Sequence, residues 1–65
     1  MAFGDNLKKL REMRGISTSE LAESAGVAQP QISKYEAGQS LPNVVTAVRI
    51  AVRLGTTVER LVGEE

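Results

Sequence analysis

The chain is 65 residues long, near the lower size at which one hydrophobic core folds unaided, so residues 1–65 are read as a single domain. It contains no cysteine and no histidine, which excludes a disulfide scaffold and the usual zinc sites and removes the commonest general base and nucleophilic thiol. Eight basic and eight acidic side chains cancel, so function has to be argued from local arrangement rather than from bulk charge.

No apolar run approaches the roughly 20 residues that span a bilayer, and the opening "MAFGDNLKK" lacks the order of a signal peptide. With no cysteine to oxidise, a cytoplasmic protein without a membrane partner is expected. Strand-type alternation is absent. Gly15, Gly26, Gly38 with Pro42, and Gly55 punctuate segments of helical spacing. The chain is therefore expected to be all-α, with five short helices at about 2–14, 18–25, 29–37, 43–54 and 58–62.

The first helix carries Phe3, Leu7 and Leu10 on one stripe, and Gly15 is a natural stop. Arg11 occupies an apolar slot beside Leu7 and Leu10, and Glu36 does the same beside Ile32 and Tyr35. Two opposite charges aimed at a core most simply meet, so a structural ion pair between helices 1 and 3 is expected. The second helix has the strongest start signal: Ser17 and Glu20 fit a capping box, with Ile16 stapling to Leu21. The third starts poorly, since neither Ala28 nor Gln29 is a favoured cap, but Pro30 suits the first helical position. Asn43 caps the fourth helix and Thr57 the fifth.

Gly26 can take the left-handed conformation that turns the chain between helices 2 and 3, and Ala22 is small enough to let them approach. Leu21, Ala25, Val27, Ile32 and Tyr35 would seal the angle. This is a helix-turn-helix pattern over about 18–37.

The stretches "FGDNLKKLREMRGIS", "ELAESAGVAQPQISKYEAG", "LPN" and "IAVRLGTTVERL" together resemble the phage-repressor (Cro and xenobiotic-response-element) type of helix-turn-helix family. The resemblance covers almost the whole chain. It implies a compact five-helix, lambda-repressor-like domain that docks its third helix in the major groove of double-stranded operator DNA, forms a dimer and regulates transcription. An ion pair like Arg11–Glu36 is also common in that family. Two features depart from it: Ala28 stands where relatives often have serine or threonine, and "QSLPN" replaces a loop that is often basic. The second implies less salt-driven phosphate binding than a typical member shows.

With helix 3 in the groove, Gln29, Pro30, Ser33 and Lys34 would face the bases, and Ile32 and Tyr35 the core. Gln29 can pair with adenine, Lys34 can reach guanine, and Pro30 can press on a thymine methyl. The plainer account of these four is an ordinary solvated helix face. Phosphate contacts are expected from Thr18, Gln31, Ser40 and Asn43, although Asn43, like Ser17, also reads as a simple cap. Lys8, Lys9 and Arg14 read first as solvated charges.

Helix 4 turns Val44, Ala47, Ile50, Ala51 and Leu54 to the core. Val45, Val48 and Val52 widen that face to roughly 220° at 100° per residue, leaving Thr46, Arg49 and Arg53 as a polar strip. Either the valines are scattered surface residues, or they form a dimer interface completed by Val58, Leu61 or Val62. No catalytic constellation, metal-ligand cluster or Gly-rich phosphate loop is visible, so neither an enzyme nor a cofactor or metal is expected.

The expectation is a homodimeric, sequence-specific regulator, most simply a repressor on a palindromic operator. The alternative is a protein-interaction module on the same fold, such as an antitoxin or adaptor. A domain of a larger regulator is the third reading.

Overall fold

Five helices build the computed structural model, which describes residues 3–63: α1 (Phe3–Met13), α2 (Thr18–Ala25), α3 (Gln29–Glu36), α4 (Val44–Leu54) and α5 (Val58–Val62). Among the described residues there is no strand. Ala2, where the expected first helix begins, lies outside them. Three helices start on a side-chain cap. Ser17 Oγ accepts from the Glu20 N–H while Glu20 Oε1 accepts from the Ser17 N–H, both at 3.0 Å. Asn43 Oδ1 accepts from Thr46 N–H at 2.8 Å, and Thr57 Oγ1 from Arg60 N–H at 3.1 Å. The bond from the Ser17 backbone, then that with its hydroxyl, holds the Glu20 carboxyl below its ordinary pKa. The capping box therefore contributes fully above the unfolded-state pKa and is lost as pH falls through the folded one.

α3 has no such cap. Ala28 is extended and makes no capping bond, which makes Gln29 the first helical residue and Pro30 the second, one place later than expected. Either position lies in the turn whose N–H groups lack intrahelical partners. Gly26, at φ +73°, ends α2 and redirects the chain into α3.

The core gathers Leu7, Leu21, Ile32, Ile50, Leu54 and Leu61, each no more than 1 % exposed, with Phe3, Ile16, Ala22, Ala25 and Tyr35 around them. α2 is central, packing on α3 and α4, whereas α1 packs on α3 and α5. α1 crosses α3 very closely. A Cβ placed on Gly4 would stand 2.6 Å from the Tyr35 carbonyl oxygen and 2.7 Å from that of Glu36. Two helical turns further on, Arg11 Nε donates to Glu36 Oε2 at 2.6 Å, with side chains 13 % and 10 % exposed. A second guanidinium nitrogen reaches Glu36 Oε1 at 3.3 Å, and the third donates to the Ile16 carbonyl at 2.9 Å. The hydrogen bond to Glu36 raises the Arg11 pKa against the opposing effect of burial. The two charges that sequence spacing aims at the core do meet there.

α4 is rotated relative to expectation. Val44, assigned to the core, is 79 % exposed, and Thr46, assigned to the polar strip, is 7 % exposed. α4 packs on α2 and α5, and those neighbours, not the periodicity of its own sequence, decide which part of its apolar arc is covered. Leu61 also departs from expectation. It is fully buried within its own domain, so it is withdrawn from the dimer-interface set.

Two stability outcomes follow. Gly4→Ala should lower the melting temperature, although alanine is the better helix former by about 1 kcal/mol, because the new methyl meets backbone oxygen and overpacking costs about 1–3 kcal/mol. Glu36→Ala should cost about 3–5 kcal/mol by leaving Arg11 unpaired in a largely buried place. Thermal and urea unfolding measure both, and an unchanged Glu36→Ala midpoint would contradict the second.

Candidate nucleic-acid interface

α3 is anchored by its inner residues Ile32 and Tyr35, both buried, which leaves Gln29, Pro30, Ser33 and Lys34 exposed. At 100° per residue these four fall within an arc of about 140°. They form one continuous face that begins at the turn made by Gly26. Ser33 and Lys34 make no side-chain hydrogen bond among the described residues. Gln29 is different: its Nε2 donates to Thr18 Oγ1 at 2.8 Å. A residue expected to read bases is thus held by one expected to touch phosphate, across the first turns of α3 and α2.

The bond leaves chemistry available on both partners. A primary amide has two N–H donors and a carbonyl acceptor, so Gln29 retains one N–H and Oε1, the pair adenine requires. Thr18 accepts through its oxygen and keeps its own hydrogen to donate. Gln31 is similarly tied, its Nε2 donating to Ser40 Oγ at 3.1 Å, which fastens α3 to the loop before α4. Asn43 is a cap through Oδ1 and keeps its amide N–H groups.

Several charged side chains are occupied elsewhere. Arg14, expected to be solvated, donates from Nε to the Leu54 carbonyl at 2.9 Å at the end of α4. Lys8 and Lys9 share the α1 surface with Asp5 and Glu12. Sequence reasoning passed over Asn6, whose Nδ2 donates to the Leu61 carbonyl at 2.9 Å. It also passed over the Gln29–Thr18 bond, for which residue type alone gives no signal at a separation of 11.

The interface candidates divide into two groups. Val58 and Val62, half-buried, line an apolar groove of about 210 Å³ with Phe3, Leu41 and Val44. Val45, Val48 and Val52 stand on the outward side of α4, beside Arg49 and Arg53. Among the described residues no group of three or more His, Cys, Asp or Glu comes together as metal ligands, and no helix is long and apolar enough to cross a membrane.

Comparison with known proteins adds independent findings. A family model described as helix-turn-helix matches residues 7–61. A prophage-derived, uncharacterised HTH-type transcriptional regulator of Bacillus subtilis, YonR, is 32 % identical over 59 residues, covering 91 % of this chain and 55 % of YonR. The solved structure of SinR, a master regulator for biofilm formation, in complex with DNA superposes with a TM-score of 0.83 at 34 % identity, over 92 % of this chain and 97 % of that one. Apo-HppE contains the same fold, with a TM-score of 0.81 at 29 % identity over 92 % of this chain and 34 % of its own. The chain spans 15 % to 55 % of the lengths of the first curated relatives it matches.

Thr18→Val should release the Gln29 side chain without unsettling the fold, since the bond is exposed and such changes usually fall within about 0.5 kcal/mol. Relaxation of the Gln29 side-chain amide should report faster local motion at an unchanged melting temperature. An equally rigid amide in the variant would mean that Thr18 does not hold it.

Proposed function

The chain belongs to the helix-turn-helix family, and on that premise we propose that it is a sequence-specific, homodimeric DNA-binding transcriptional regulator that reads operator DNA with α3. The observation that carries this reading is the exposed Gln29–Lys34 face, backed by buried Ile32 and Tyr35 and oriented by Thr18. The relatedness to YonR and the fold shared with DNA-bound SinR support it. As in the sequence reading, this is a binding protein rather than an enzyme, working in the cytoplasm, where its DNA would be.

In the groove, Gln29 Oε1 accepts from adenine N6 and the remaining Nε2–H donates to N7. The Thr18 hydroxyl gives its hydrogen to a backbone phosphate, so phosphate, threonine, glutamine and base form one chain of hydrogen bonds. Placement on the backbone and reading of the base are thereby coupled. Lys34 reaches guanine O6 and N7, Pro30 covers a thymine methyl, and Ser33 completes the face. Gln31, Ser40 and Asn43 supply neutral phosphate contacts. With a net charge of zero, this protein depends less on counterion release than a basic regulator does.

One such helix touches few base pairs, and each good contact discriminates by about 1–3 kcal/mol, so two copies are needed against genomic competition. The second copy packs over the groove of Leu41, Val44, Val58 and Val62, and the outward valines of α4 stay outside that contact. A pair bound across a promoter excludes polymerase, which makes repression the simplest outcome. The rival reading, a protein-interaction module such as an antitoxin or adaptor, draws on the balanced charge and the uncharged loop 39–43. The composition of the exposed α3 face favours DNA.

Selection from a random DNA pool should return an inverted repeat with half-site centres about 10 base pairs apart. Gln29→Ala should relax one position and cost about 1–3 kcal/mol. Lys34→Ala should relax another; an even loss over all sequences, with the salt slope flattened by about one, would make Lys34 a phosphate contact instead. Both variants binding every site like wild type would remove α3 as the reader. Val44→Glu should leave a folded protein that occupies the selected site as single copies, seen by sedimentation on the duplex.

A further inference from the structure

The outward side of α4 carries apolar surface beyond what pairing over the groove uses. Val45, Val48 and Val52, at three- and four-residue spacing, are 59, 46 and 73 % exposed and form a stripe about 10 Å long. Arg49 and Arg53, one turn apart, run along one edge, and with Ser24 they bound a shallow depression of about 270 Å³. Both arginines are laid along α2. Arg53 Nε donates to Ser24 Oγ at 3.2 Å, and an Arg49 guanidinium nitrogen lies 3.0 Å from where a Cβ on Gly26 would sit. Among the described residues neither has a carboxylate within 4.0 Å. Glu20, the acid on the neighbouring helix face, is committed to its own capping box and feels Arg53 only as a weaker attraction beyond ion-pair distance.

Three occupants can be compared. In a two-fold contact each patch meets its own copy. Two α4 helices laid antiparallel over this stripe bring like edge to like edge, so Arg49 and Arg53 of each copy face those of the other, an arrangement that like charge disfavours. DNA phosphates would satisfy the arginines but leave three valines against a charged backbone. A helix with apolar residues at the same spacing and carboxylates along one edge satisfies both features. We propose that Val45, Val48 and Val52, with Arg49 and Arg53, form a docking site for an amphipathic, acid-edged helix of a partner protein. The surface is separate from both α3 and the groove, and the proposal does not rest on the reading of DNA.

The test uses two synthetic helical peptides of about 18 residues, alike in their leucines at i, i+3 and i+7 but edged with Glu in one and Lys in the other. Each is titrated into the isotopically labelled full chain. The Glu-edged peptide should shift the resonances of Val45, Val48 and Val52 and bind about tenfold or more tightly than its Lys-edged twin. An Arg49→Glu/Arg53→Glu double variant should reverse the preference. Equal binding of the twins to the wild-type chain, or shifts confined to α3 or the groove, would overturn the proposal, as would the same shifts on adding a random duplex. A Val48→Ser/Val52→Ser variant should weaken the Glu-edged peptide about tenfold while its melting temperature and its sedimentation stay those of the wild-type chain. Sedimentation of that variant as a smaller species than the wild-type chain would give the stripe to a second copy instead.

Discussion

The contact between α1 and α3 fixes where everything on the exposed face of α3 points. α3 is eight residues long, has no side-chain N-cap and offers only Ile32 and Tyr35 to the core. A helix of that length is not stable alone in water, so its position is set by what grips it. At its C-terminal end the grip is the bare Cα of Gly4 against two carbonyls and the three-pronged engagement of Arg11 with Glu36 and Ile16. At its N-terminal end, Gln29 and Gln31 are tied outward to Thr18 and Ser40. The middle, with Ser33 and Lys34, is left open.

That division has a chemical logic. The strong, charged and nearly buried contacts lie at the end remote from the candidate reading face, where they need not rearrange. The contacts at the reading end are neutral and exposed, so exchanging them for a ligand's groups costs little. Three of the arginines are already engaged within the fold, through Arg11, Arg14 and Arg53. On the proposed reading, what remains for DNA is mainly amide and hydroxyl chemistry with one lysine, which suits recognition by shape and hydrogen bonding more than by bulk attraction.

Features that depend on neighbouring sequence were legible. The caps at Ser17, Asn43 and Thr57 are local, and each forms as the residue type implies. The opposed slots of Arg11 and Glu36 were legible because a charge inside an apolar stripe needs a partner. Features that depend on a second element were not. The periodicity of α4 gives the width of its apolar arc but not which part its neighbours cover, so Val44 and Thr46 exchange roles. Gly4 reads in sequence only as a weak spot in a helix; its reason lies in the carbonyls of Tyr35 and Glu36. The valines of α4 and the four outward residues of α3 are placed by the fold, while their partners lie beyond one chain.

The bond from Asn6 to the Leu61 carbonyl joins positions 55 residues apart, and the helices α1 chiefly packs on are α3 and α5. Of the five helices described, α1 is therefore made before either of the helices it chiefly packs on. The segment from α2 to α4 can gather by short-range closures, whereas the α1–α3 contact closes a longer loop and the α1–α5 contact closes nearly the whole domain. During synthesis the stripe of Phe3, Leu7 and Leu10 has no cover from α3 or α5 until those helices have been made. Truncation products that lack α5 leave the part of that stripe which α5 covers open, a feature by which quality-control proteases and chaperones can tell an unfinished copy from a finished one.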